Sequence, residues 1–101
     1  MVLYFIIIFW LNDVTLAIER VRLRVLEGGH NIPEEVIRRR YKNGTINFFS
    51  SFMQVVDFWL FVNNTKDVST FIAKGYIGKP VIVFNLNNWS IIKEQANVTN
   101  T

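Results

Sequence analysis

The chain has 101 residues, half of them hydrophobic and 15% aromatic, with a formal net charge of +3. That length bounds it to one domain with a modest core, and that apolar content excludes a disordered tail. With no cysteine and a single histidine, a disulfide framework and a thiolate or histidine-rich zinc site are excluded as well, and a reducing, cytoplasmic setting is expected.

The first element, Val2 to Leu11, reads VLYFIIIFWL. It is about half the ~20 residues that a membrane-spanning helix requires, and it has neither a basic leader nor a small-residue cleavage site. Its β-branched and aromatic residues, stopped by Asn12-Asp13, predict a strand buried on both faces of a parallel sheet. Such a strand needs neighbours, supplied either later in the chain or by sheet that normally precedes it. No membrane partner is expected.

Asp13 then caps a helix whose apolar positions Val14, Ala17, Ile18, Val21 and Val25 follow three-four spacing. Gly28-Gly29 closes it, because glycine accepts a positive φ, and makes a joint that offers little resistance to hinging. After a loop, His30 to Ile32, Pro33 starts a second helix with Glu34 and Glu35 against its positive end. The stripe Ile37, Tyr41, Phe48, Phe52, Val55 and Val56 carries that helix to about Gln54, across Gly44. Phe58 to Val62 reads as another buried strand, ended by Asn63-Asn64. Thr70 to Ala73 and Val81 to Phe84 form a hairpin through the turn GYIGKP, Gly75 to Pro80. Asn87 caps a last helix, Asn88 to Gln95, and a frayed tail follows from Ala96. Strands alternating with helices in this order predict an α/β sheet with helix-covered faces.

Charge is distributed unevenly along these elements. Arg20, Arg22, Arg24, Arg38, Arg39, Arg40 and Lys42 are seven of the eleven basic residues, set against Glu27, Glu34 and Glu35. An anion would bind there. Arginine's planar fork matches phosphate oxygens in two-point contact. The alternative is a solvated helix face balanced by the i, i+4 pairs Glu34 with Arg38 and Glu35 with Arg39. His30 either hydrogen-bonds a phosphate or nucleobase or caps a helix end.

Other catalytic signals are sparse. GYIGKP imitates a P-loop, but it is too short, places proline at the magnesium-binding hydroxyl and leads into a strand. Asp13 reads as a cap and Asp57 as the residue that opens a strand. Ser50 and Ser51 sit on a helix, not on a nucleophile elbow. The sequons at Asn43, Asn63, Asn88 and Asn97 follow from an asparagine-rich composition.

The stretch LAIERVRLRVLEGGHNIPEEVIRRRYKNGTINF, Leu16 to Phe48, resembles the C-terminal half of the zeta toxin-like family of P-loop kinases and ATPases. The helix Ala17-Ile-Glu-Arg-Val-Arg-Leu-Arg, the joint Gly28-Gly29-His30-Asn31-Ile32-Pro33 and the arginine trio carry the likeness. FIIIFWLN before them, Asp57-Phe-Trp-Leu-Phe-Val-Asn-Asn after them and Phe71-Ile-Ala-Lys-Gly extend it from about Tyr4 to Lys93.

That resemblance implies the C-terminal half of a P-loop NTPase-like parallel sheet within residues 1–96, with a helical lid over about 26–42, a C-terminal β-hairpin plus helix, and a tail at 97–101. It implies that Arg38 and Arg40 contact the transferred phosphate, with Arg24, His30 and Arg39 as further nucleotide-binding candidates. For a complete family member it implies ATP and Mg2+ and a small-molecule substrate such as a nucleotide sugar. Phosphoryl transfer is mainly positioning and charge stabilisation, which an arginine lid provides. The family's P-loop and acidic base lie upstream of the part resembled. The chain is therefore expected to be inactive alone and to work with an upstream polypeptide that carries the P-loop. Two rival readings are an interaction module that pairs through an exposed sheet edge and a basic nucleic-acid-binding domain. The second is disfavoured because the aromatic residues read as buried, not displayed for base stacking.

Overall fold

The computed structural model describes residues 2–97. In chain order these form β1 (Phe5–Trp10), α1 (Val14–Leu26), α2 (Glu34–Asn47), β2 (Phe58–Asn63), β3 (Thr70–Tyr76), β4 (Ile82–Val83) and α3 (Leu86–Gln95). A π-helical segment, Phe48–Phe52, and a last turn, Met53–Val55, prolong α2 without a break. The strands make one sheet in the order β1-β2-β3-β4. β1 and β2 are parallel, with Phe5 opposite Phe58 and Trp10 opposite Asn63; β2–β3 and β3–β4 are antiparallel.

The sheet is thus mixed, and the expected parallel arrangement is confined to one pair. The cause is connection length. A parallel return needs a crossover of a dozen residues or more, which α1 and α2 supply; the short links after β2 and β3 permit only antiparallel returns.

Local chemistry sets the helix ends. Asp13 has extended backbone and its carboxylate accepts from the Thr15 N–H at 2.9 Å, the N-cap that starts α1. At the other end Gly28 has φ +96°. The Gly29 N–H donates to the Arg24 carbonyl at 2.7 Å and the Gly28 N–H to that of Val25 at 3.0 Å. Those two bonds are the paired closure of a Schellman stop. The glycine pair, read as a joint that yields to hinging, is therefore tied to the helix it ends.

The last helix starts at Leu86, two residues before the expected Asn88. Asn85, not Asn87, has the extended backbone of a cap, and its Oδ1 accepts from the Asn88 N–H at 3.0 Å. Ala96 and Asn97, expected to fray, close α3: Asn97 takes φ +56° and its N–H donates to the Glu94 carbonyl. The rest of the expected tail lies outside the described residues.

The core lies on one face of the sheet. Trp10, Trp59, Phe61, Ile72 and Ala73 meet Phe48 from the π-helical segment and Trp89 and Ile92 from α3. The Trp59 and Trp89 rings stack at 5.5 Å, and Phe48 packs edge-on to Phe61 at 4.7 Å. Gly75 lies directly opposite Trp59. A Cβ there would fall 2.4 Å from the indole, so the stack requires glycine.

The other face carries no such cover. Ile6, Ile8 and Trp10 of β1 turn toward the core, while Phe5, Ile7 and Phe9 are 65%, 53% and 63% exposed. β1 is not buried on both faces, and the helices do not cover both faces of the sheet. α1, the element that might have crossed to the second face, packs on α2 instead. An aromatic row spans the open face: Phe5 to Phe58 at 6.1 Å, Phe58 to Tyr76 at 5.0 Å, and Phe84 to Phe71 at 6.0 Å. Lys74 Nζ bridges it, 5.8 Å from the Tyr76 ring and 5.7 Å from that of Phe84. Among the described residues no helix is long and apolar enough to cross a membrane.

Candidate functional site

The carboxyl end of β1, the start of α1 and the middle of α2 converge. Tyr41 of α2 is the anchor: its hydroxyl donates to the Leu11 carbonyl at 2.6 Å and accepts from Gln95 Nε2 at 3.2 Å. Gln95 Oε1 in turn accepts from Trp10 Nε1 at 3.1 Å, joining β1, α2 and α3. A phenol and an indole that turn inward need partners, and the Gln95 amide serves both, donating to the one and accepting from the other. Burial pushes the Tyr41 phenol above its usual range; the Gln95 hydrogen bond opposes this, and the Asp13 carboxylate reinforces it. Asp13 itself is held below the usual carboxylate range, chiefly by its hydrogen bonds to Thr15 and to a lesser degree by the charge of Arg38.

Between these elements lies a cavity of about 350 Å³. Ile8 and Trp10 of β1, Ala17 and Val21 of α1, and Ile37 and Tyr41 of α2 form its walls, and Arg40 is the only charged residue that lines it. A second hollow, also about 350 Å³, continues along the α1–α2 seam past Val21, Ile32 and Ile37 to the more polar Arg22, Asn31 and Glu34. No family model, no curated protein and no solved structure matches the chain.

The arginine trio divides three ways. Arg38 places Nε and Nη2 at 3.1 and 2.8 Å from Glu34 Oε1, the first of the two expected i, i+4 pairs. Both partners are exposed, so the pair contributes a few tenths of a kcal/mol. The ion pairs among the described residues are this one and Arg22–Glu19; the expected Glu35–Arg39 pair is not among them. Arg40 faces the cavity, one residue before the inward Tyr41. Arg39 is exposed and lines neither hollow.

Arg24 and His30 stand apart from that convergence. Both are exposed and line neither hollow. The Arg24 carbonyl serves the Schellman stop. Arg20, counted with the basic segment, donates through Nη2 to the Asn64 carbonyl and ties α1 to the loop after β2. Asp57 behaves as the opener of β2: its Oδ2 accepts from the Tyr4 N–H at 2.8 Å. The turn is shorter than GYIGKP: Gly75 and Tyr76 belong to β3, and the chain reverses from Tyr76 to Lys79, with Gly78 at φ +73° and the Lys79 N–H donating to the Tyr76 carbonyl at 3.0 Å.

The residues that meet at this convergence do not form a cradle for ATP and Mg2+. A triphosphate seeks helix N-terminal N–H groups. Here the N-terminus of α1 is closed by the Asp13 carboxylate and the first turn of α2 carries Glu34 and Glu35. Among the described residues no three His, Asp or Glu side chains gather as a metal-binding group. Sequence reasoning missed two members of the site. Gln95 gave no signal, since its partners lie 54 and 85 residues away. Gly44 lines the cavity with no atom within 4 Å of a Cβ placed on it, and a glycine in a helix interior was the available hint.

Proposed function

We propose that this chain is the arginine-bearing part of a larger α/β phosphoryl-transfer fold of the zeta toxin-like kind, completed by further polypeptide. That polypeptide, in the same chain or another, brings the P-loop that holds ATP and Mg2+, and the small-molecule substrate binds between the two parts. The observation that carries the reading is the helix-free sheet face with its exposed Phe5, Ile7 and Phe9 beside the outer edge of β1. An apolar surface of that extent, next to strand N–H and C=O groups without a sheet neighbour, calls for a covering layer. In open α/β sheets ligands bind beyond the carboxyl ends of parallel strands. Arg40 stands there at the end of β1, with Arg38 on the adjoining flank.

The same face gives the interaction-module reading its footing, with a second copy as the cover. One pair of measurements separates the two. Titrated with a fluorescent ATP analogue and magnesium, the isolated chain is expected to show no tight binding. Co-expressed with an upstream-encoded polypeptide that contains G-x-x-x-x-G-K-[ST], it is expected to co-purify and to gain magnesium-dependent nucleotide binding, which weakens when Arg40 is replaced by alanine. Tight magnesium-dependent binding by the chain alone, or a stable homodimer that ignores the P-loop polypeptide, would overturn the proposal.

A further inference from the structure

The cavity beside Arg40 has the character of a ligand site in its own right. Small-molecule sites are mostly apolar hollows of ~300–1,000 Å³ with a few placed polar groups. This one, at about 350 Å³, lies at the small end of that range and its walls are nearly all aliphatic or aromatic. A cavity of this size has room for one ring or a short acyl chain. It has no polar set to read a nucleobase.

Two features bear on what the space can hold. Gly44 lines it from the interior of α2, where alanine would serve the helix better, and a Cβ there would meet nothing within 4 Å. The hydroxyls that line it are already engaged: Tyr41 donates to Leu11, and Thr45 Oγ1 donates to the Lys42 carbonyl at 3.1 Å. Arg40 alone is left to meet a head group, and among the described residues it belongs to neither ion pair. A guanidinium in that position selects an oxyanion.

We infer that this cavity binds a small amphipathic anion, an apolar ring or short acyl chain enclosed between β1, α1 and α2 with its carboxylate or phosphate on Arg40. The inference goes beyond the phosphoryl-transfer reading, because it concerns the chain without a P-loop partner and holds or fails independently of one.

The test is a titration of the full chain with octanoate, octyl phosphate and the neutral octan-1-ol, followed by amide NMR. Both anions should bind at least about tenfold more tightly than the alcohol, the difference that one charged hydrogen-bond partner supplies. Their shifts should centre on Ala17, Val21 and Gly44. Arg40→Gln should erase the preference for anions, and Gly44→Leu, which puts a side chain into the open space, should weaken all three ligands. Octanoate without octyl phosphate would identify the ligand as a carboxylate, and the reverse a phosphate ester; either supports the site. Equal binding of anion and alcohol overturns the inference, as do shifts centred on Ile7 and Phe71 of the open sheet face or anion binding that survives Arg40→Gln. If Gly44→Leu fails to fold, the shift map of the unaltered chain decides alone.

Discussion

Phe61 and Phe9 stand on neighbouring strands of one sheet, and their fates are opposite. Phe61 is fully shielded between Trp59, Phe48 and Trp89, whereas Phe9 is 63% exposed. The side chain is the same, so hydrophobicity does not decide the outcome. What decides it is which layer the chain supplies for each face: α2 with its π-helical extension and α3 cover one, and no helix covers the other. The sharpest way to break this contrast is to remove both rings. Phe61→Ala should cost about 4 kcal/mol, the loss expected for a large aromatic cut from a packed core. Phe9→Ala should stay within about 0.5 kcal/mol, as for a surface site. Urea denaturation midpoints measure both. Comparable losses would mean that the open face is covered in solution, and a loss at Phe9 that grows with protein concentration would identify the cover as a second copy.

Two glycines extend the contrast at smaller amplitude. Gly75 lies under Trp59, where a Cβ would sit 2.4 Å from a ring held in place by its stack with Trp89. Gly75→Ala should therefore destabilise the chain by about 3 kcal/mol, at the upper end of overpacking costs. Gly44 is helical and its Cβ position is open. Gly44→Ala should stabilise by about 0.5–1 kcal/mol, the backbone advantage of alanine in a helix. Thermal denaturation of the two variants side by side checks the sign as well as the size.

The same asymmetry explains what the amino-acid order revealed. Elements whose cause is local were legible: the Asp13 cap, the glycine stop of α1, the helix through Tyr41 and the strand from Phe58. The largest failure concerns a layer that only distant parts of the chain could supply. A run such as FIIIFW has no alternation, so it cannot report that every second residue lacks a cover; the period that would show it is erased when both faces are apolar. The last helix was misplaced because four asparagines, Asn85, Asn87, Asn88 and Asn97, compete for its ends, and only backbone conformation separates a cap from its neighbours. At the candidate site the arginines were visible, but their division was not. Arg38 and Arg40 are two residues apart in sequence, and side-chain direction on the helix sends one to Glu34 and the other to the cavity.

The smallest expected effect lies at the seam where β1 ends, and it is a pH dependence with two arms. Asp13 has a folded pKa below its unfolded value, so the folded state binds its proton less readily than the unfolded chain. Its contribution to stability is present above the ordinary carboxylate value of 3.8 and is lost as pH falls through the lower folded value. Tyr41 behaves oppositely. Its folded pKa lies above the ordinary phenol value of 10.0, so its contribution is full below that pH and disappears as the phenol ionises above it, when the donor to the Leu11 carbonyl is lost. Melting temperature should therefore be flat from about pH 5 to 9 as far as these two groups are concerned. Asp13→Asn keeps a capping oxygen without a titrating charge and should remove its part of the acid arm. Tyr41→Phe should lower the plateau and remove its part of the alkaline arm. If Tyr41→Phe leaves the alkaline arm as steep as before, the hydroxyl does not hold α2 to the end of β1. The helix that carries Arg40 would then be anchored by its buried Ile37 and Thr45, by Phe48 just beyond it and by its packing on α1.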